Sequence, residues 1–168
     1  MEEGESKKPI SEEDKIYMQE AIDLALSGMR NAEGGPFGCV IVNENGVIIG
    51  RGNNRVTSTN DPTAHAEVVA IRDACRNIGS FQLDGCTIYT SCEPCPMCLG
   101  AIYWARPVRI VFSCTREDAA LIDFDDEFLY KELVVPMSER KIPTVQAFQK
   151  EGLVAFKEWK KKVDKTKY

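Results

Sequence analysis

PTAHAEVVAIRDAC at residues 62–75 and YTSCEPCPMC at residues 89–98 decide how this chain is read. The first segment holds the chain's single histidine, His65, with Glu67 two residues on. The second holds Pro94, Cys95 and Cys98 in a Pro-Cys-x-x-Cys arrangement. The spacing lets both thiolates reach one ion from a turn that runs into a helix. The positive end of that helix lowers thiol pKa and favours the thiolate form that a metal requires. Pro94 and Pro96 stiffen the approach, and proline is tolerated in a first helical turn. His65 brings a nitrogen from a second element. Three protein ligands leave a fourth tetrahedral position to water, the pattern of a catalytic zinc.

Cys92 lies three residues before Cys95, so a closed site of three cysteines and His65 is an alternative on spacing alone. Glu67 favours the open site. A structural zinc has no use for a carboxylate two positions after its histidine. A hydrolytic one does, because two thiolates cancel the ion's charge and make it a weaker acid, which a neighbouring base compensates. A glutamate beside a histidine is by itself most often a surface charge; here it accompanies a whole ligand set. Cys39, Cys75, Cys86 and Cys114 sit among apolar residues and read as small core side chains.

The rest of the chain supports one domain. Its 168 residues, 43% hydrophobic and 28% charged, are those of an ordinary globular protein without a membrane-spanning run. Residues 1–10 are polar and lack the apolar middle of a signal peptide, so a flexible leader and a cytoplasmic protein are expected. Seven cysteines cannot all pair, and in a reducing compartment a Cys-x-x-Cys points to metal or redox chemistry. The net charge of −5 disfavours a broad nucleic-acid surface, although KEWKKKVDKTK near the end is lysine-rich.

Working outward from the metal motif, Ser11 and Asp14 suggest a capping box for a helix carrying Met18, Ile22, Ala25 and Met29, with Gly28 and Asn31 beginning its exit. Gly34-Gly35-Pro36 reads as a turn that uses glycine's wider backbone range. Cys39–Val42 and Val47–Ile49 form a hairpin across Asn43-Glu44-Asn45-Gly46. A polar loop, Gly52–Pro62, precedes a helix from about Thr63 to Asn77. Cys86–Thr90 reads as a buried strand, Met97–Ala105 as a helix and Val108–Phe112 as another strand. Glu151–Val163 carries Leu153, Phe156, Trp159 and Val163 on one side of an amphipathic helix. The expected fold is α/β, a three-layer α/β/α sandwich with a mixed central sheet.

With these segments quoted, the chain resembles the zinc-dependent cytidine-deaminase superfamily, whose histidine-x-glutamate and Pro-Cys-x-x-Cys signature it carries. It is most similar to the small bacterial-type guanine deaminases. That similarity rests also on GGPFG at 34–38, NN at 53–54, YTSCEPCPMCLGAIYWARP at 89–107 and FDDEFLYKE at 124–132. The resemblance implies hydrolysis of guanine to xanthine and ammonia at one Zn(2+) per subunit held by His65, Cys95 and Cys98. Glu67 would shuttle protons to N3 and the amine. Phe37 and Trp104 would wall the base, Asn54 would hydrogen-bond it, and Ala66 would line the site. Asp126 would sit by the amino group; a helix cap is its bland alternative, as core packing is for Trp104 and Tyr103. The family also implies a homodimer whose segment from about 148 to 168 swaps onto the partner, with Tyr168 closing the neighbour's pocket. The rival activities are a guanosine or other aminopurine deaminase and a transfer-RNA adenosine deaminase. The different-class rival is a zinc-stabilised scaffold without activity.

Overall fold

The structure is a computed structural model describing residues 9–168, so most of the expected leader lies outside the described residues. It forms two compact units, the first ending at Asp125 and the second running from Asp126 to Tyr168.

Helix α1 (Glu12–Arg30) opens with the expected capping box: Ser11 Oγ accepts from the Asp14 N–H at 3.1 Å, and the Asp14 carboxylate accepts from the Ser11 N–H at 2.8 Å. The helix runs through Gly28 instead of fraying there. The Asn53 side chain packs where a Cβ on Gly28 would be, so this glycine serves close approach. Strands β1 (Gly38–Val42) and β2 (Ile48–Asn53) form the hairpin, with Asn43 Oδ1 accepting from the N–H groups of Asn45 and Val47. β2 continues well past the expected end at Ile49. A Cβ on Gly50 would fall 2.6 Å from the Ala70 carbonyl oxygen, and one on Gly52 would overlap that of Ala66. The bare strand is what lets a helix lie directly on it.

A single-turn helix, α2 (Val56–Thr59), lies within the expected polar loop. Helix α3 (Ala66–Ile78) starts three residues later than its expected Thr63. Pro62 and an Asp61 carboxylate that accepts from both the N–H and the hydroxyl of Thr63 hold residues 61–63 in a local turn. Strand β3 (Thr87–Cys92), helix α4 (Pro96–Ala105) and strand β4 (Arg109–Cys114) complete a strand–helix–strand crossover, and α5 (Arg116–Ala120) follows.

The sheet order is β2-β1-β3-β4, with β1 antiparallel to both neighbours and β3 parallel to β4. β1 is buried along its whole length and shows the twofold alternation of a strand covered on both faces. Cys39 and Ile41 join Ala66, Ala70, Ala74 and Ile102 in one core. Val40 and Val42 join Ala21 and Tyr89 in the other, beneath α1. This is the mixed, three-layer α/β architecture the sequence implied.

Asp14 does more than cap. Buried under α1, it accepts from Tyr89 Oη at 2.6 Å and from both terminal nitrogens of Arg109 at 2.8 and 3.1 Å. Burial pushes its pKa up, but these bonds and the one from the Ser11 N–H outweigh it and hold the carboxyl at about 2. The second unit contains α6 (Glu127–Val134), a 3-10 turn (Met137–Glu139) and α7 (Gln149–Lys161).

Candidate metal centre and base pocket

Two helix starts carry the metal motif. His65 is the N-cap residue of α3 and Cys95 that of α4, both with extended backbone, and neither side chain caps its own helix. Those side chains are therefore directed to other partners. Cys98 lies in the first turn of α4 and is fully buried. His65 Nδ1 is 3.6 Å from Cys95 Sγ and 3.5 Å from Cys98 Sγ, and the three ligand atoms lie within 4.8 Å of one another. One nitrogen and two sulfurs at these separations fit around a tetrahedral zinc with bonds of about 2.0 and 2.3 Å.

Cys92 is not in this group, which is the one such cluster among the described residues. Its Sγ donates to the Thr115 carbonyl at 3.5 Å, and burial pushes its pKa up to about 12. It behaves as a core thiol. Cys95 is the opposite: a hydrogen bond from Cys98 holds it at about 4 against the effect of burial, with His65 assisting. Cys98 is pushed upward by that same bond and by burial. The pair thus favours the thiolate on Cys95 over that on Cys98, and a divalent cation would provide the field that ionises the second thiol.

Glu67 sits in the first turn of α3, 6% exposed, and accepts from Cys98 Sγ at 3.4 Å. Burial raises its pKa, the condition under which a carboxylate can exchange protons near neutral pH. The structure therefore gathers His65, Glu67, Cys95 and Cys98 at one spot.

The other expected residues divide. Asn54 is buried, and its Oδ1 accepts from the N–H groups of Gly35 and Val56, each at 3.2 Å. This fixes the amide and leaves its NH₂ without a protein acceptor among the described residues, free to donate to a ring carbonyl or nitrogen. Gly34 and Gly35 turn out not to adopt left-handed backbone angles, contrary to the expectation. A Cβ on Gly34 would overlap Asn54, so the glycines make room for this amide. The Ala66 side chain is fully buried in the core, leaving its helix-start N–H as the group that can reach a ligand. Phe37 is half-buried and packs edge-on against Phe124, ring centroids 4.9 Å apart at 89°. The role of Phe124 was not read from sequence, where FDDEF drew attention only to Asp126.

Trp104 and Tyr103 are not core residues; they are 65% and 75% exposed on α4, the helix end where core packing had been the alternative reading. Cys114 is exposed and Cys75 half-buried, so only Cys39 and Cys86 of the four expected core thiols are fully buried. Within the second unit, Asp126 occupies the N-cap position of α6 but makes no side-chain capping bond, which weakens the helix-cap reading. Tyr168 is 69% exposed at the chain end.

Comparison with known proteins bears directly on this cluster. Residues 11–114 match the family model of the cytidine and deoxycytidylate deaminase zinc-binding region. Guanine deaminase of Bacillus subtilis (strain 168) is 52% identical over 154 residues, covering 92% of this chain and 98% of that protein. The X-ray structure of guanine deaminase from Bacillus subtilis superposes with a TM-score of 0.89 at 51% identity, over the same shares of the two chains. A tRNA-specific adenosine deaminase of Buchnera aphidicola subsp. Schizaphis graminum is 42% identical, but over 64% of this chain and 70% of its own. A likeness spanning 92% of the chain cannot omit most of the second unit, and the 64% likeness can. The chain thus belongs to the cytidine and deoxycytidylate deaminase zinc-binding family, in the branch that holds the Bacillus subtilis guanine deaminase.

Proposed function

We propose that this protein is a cytoplasmic, zinc-dependent guanine deaminase: guanine and water give xanthine and ammonia. The observation that carries the reading is a buried carboxylate, Glu67, 3.4 Å from one sulfur of a His65, Cys95 and Cys98 cluster. It is found in a chain alike to a guanine deaminase almost end to end. His65 Nδ1 and the two thiolates would hold one zinc ion per subunit. When bound, zinc supplies a Lewis acid that makes water nucleophilic at neutral pH.

The chain's own residues do the rest. Glu67 takes a proton from the attacking water, delivers it to N3 and carries a second to the departing amine. Its burial keeps it from being leveled by solvent, and its raised pKa makes both directions of transfer accessible. Asn54 donates its fixed NH₂ to the purine. Phe37 and Trp104 face the ring, the Ala66 N–H lines the site, and Asp126 orients the amino group.

The proposed assembly is a homodimer with residues from about 148 to 168 exchanged and Tyr168 closing the partner's pocket. In support, α7 leaves Phe156 and Trp159 exposed, at 73% and 46%, and the helix ends at Lys161, short of the expected Val163, which is itself wholly exposed; these apolar side chains need a cover. A lid over the base leaves no room for ribose, which favours the free base over guanosine. No helix among the described residues is long and apolar enough to cross a membrane. Ammonia release measured on guanine, guanosine, adenine, cytosine and cytidine tests the reading. Guanine should be turned over well above all others, and a preference for guanosine would overturn the lid argument. A salt-sensitive gel shift with structured RNA would point instead to a transfer-RNA substrate.

A further inference from the structure

Phe124 is placed by more local machinery than a surface aromatic needs. Helix α5 is only five residues long, yet it is capped at both ends. At its start Thr115 and Asp118 form a capping box, with Thr115 N–H donating to Asp118 Oδ2 at 2.9 Å and Asp118 N–H to Thr115 Oγ1 at 3.3 Å. At its end the Phe124 N–H donates to the Ala119 carbonyl at 3.0 Å and the Asp123 N–H to the Ala120 carbonyl at 3.2 Å. Those are the 6→1 and 5→2 bonds of a Schellman motif. The left-handed position, ordinarily glycine, is Asp123 with φ 69°. Aspartate tolerates that conformation better than most residues.

The product of this geometry is one ring in one place. Phe124 meets Phe37 edge to face, and its tip lies 2.9 Å from where a Cβ on Gly35 would be. Gly35 in turn donates its N–H to Asn54 Oδ1. Phe124 therefore touches both the aromatic wall and the backbone that seats the purine-binding amide. An edge-to-face pair restrains ring orientation beyond what simple apolar contact does.

We infer that Phe124 is a positioning residue for base binding: held by the Schellman turn, it fixes the Phe37 ring and the Gly35–Asn54 contact against which the purine packs. The inference rests on the guanine-deaminase reading. It assigns Phe124 no contact with the reacting atoms, so its effect falls on KM.

The test compares zinc-loaded wild type, Phe124→Leu, Phe124→Tyr, Phe37→Leu and the Phe37→Leu/Phe124→Leu double variant. For Phe124→Leu, KM for guanine should rise about fivefold, the value of an edge-to-face pair, while kcat changes less than twofold. Phe124→Tyr keeps the ring but adds a hydroxyl at the tip that meets Gly35, so it should raise KM as well. In the Phe37→Leu background the second substitution should add nothing. Calorimetric binding of xanthine should weaken by the same factor, giving a readout apart from turnover. Aromatic NMR of labelled phenylalanine should show the Phe37 ring shift collapse in Phe124→Leu, whatever the substrate. A wild-type KM in Phe124→Leu, or multiplicative effects in the double variant, overturns the positioning role while leaving guanine deamination intact. Equal falls in kcat, zinc content and melting temperature would make Phe124 merely structural and also overturn it. A wild-type chain that shows the ring contact by NMR yet does not turn over guanine overturns both readings.

Discussion

Asp14 and Glu67 are both buried carboxylates, 4% and 6% exposed, on opposite faces of one sheet. Asp14 accepts from a backbone N–H, a tyrosine hydroxyl and two arginine nitrogens. Glu67 has one thiol at 3.4 Å and its own backbone. The saturated carboxylate is pulled down to about 2 and the poorly satisfied one is raised. Burial is common to both and cannot explain the difference; the number and charge of donors can. A group that must accept and release protons cannot be locked by four donors, whereas one that joins α1 to β3 and β4 gains from them.

Removing the sulfurs should give the largest effect, because Glu67 has work only beside a metal. Cys95→Ala or Cys98→Ala leaves two of three ligands, so elemental analysis should find zinc reduced to near zero and turnover lost. Cys92→Ala, which only vacates a thiol bonded to Thr115, should keep its zinc. Zinc lost from Cys92→Ala and retained by Cys98→Ala would reverse the assignment and with it the functional half of the contrast.

Glu67→Gln comes next. It preserves shape but not proton transfer, so kcat should fall by about three orders of magnitude with zinc retained. Because the native carboxylate is under-satisfied, the variant should be no less stable than wild type in urea. Activity intact with zinc bound would leave a metal scaffold and no general base.

The sequence made one of these two carboxylates legible and not the other. Glu67 stands two residues from the only histidine and accompanies a whole set of metal ligands, which is what distinguishes it from a surface charge. Asp14 showed only its local half, the pairing with Ser11. Tyr89 and Arg109 lie 75 and 95 residues away in sequence, and no spacing rule spans such distances. The same limit explains other differences. The expected strand stops at Ile49 while β2 runs on through Gly50 and Gly52, because what accounts for these glycines, α3 lying on them, is a tertiary contact. Periodicity found α1 and α7, since their apolar residues repeat within a few positions, while the short α2 and α5 carry no such repeat. Phe124 was hidden because its partner, Phe37, is far off in the chain, and its turn uses aspartate where glycine would have signalled it.

Asp14→Ala tests the structural half. It removes a helix cap and strands Tyr89 and a partly exposed Arg109, so unfolding free energy should drop by about 3 kcal/mol, with kcat and zinc content unchanged. A loss under about 0.5 kcal/mol would mean the network is incidental.

The smallest effect is the acid titration of that same group, and its sign separates the two carboxylates. A carboxyl whose folded pKa is about 2 against about 3.8 unfolded stabilises the fold fully above pH 4, and that contribution fades as pH falls towards 2. The shift amounts to about 2 kcal/mol, and the 6% exposure of the Asp14 side chain leaves little solvent screening. Glu67 runs the other way. Its raised pKa makes the ionised form a cost, relieved as pH falls through the folded pKa towards 4.5. Urea unfolding at pH 7, 5, 4, 3 and 2.5, in matched metal-free samples, should show wild type converging on Asp14→Ala below pH 4 and parallel to it above. Wild type and Glu67→Gln should instead differ most near neutral pH and converge before pH 4 is reached. A gap between wild type and Asp14→Ala that stays constant down to pH 2.5 would mean that Asp14 stabilises through shape and packing, and that donor count is not what distinguishes the two buried acids.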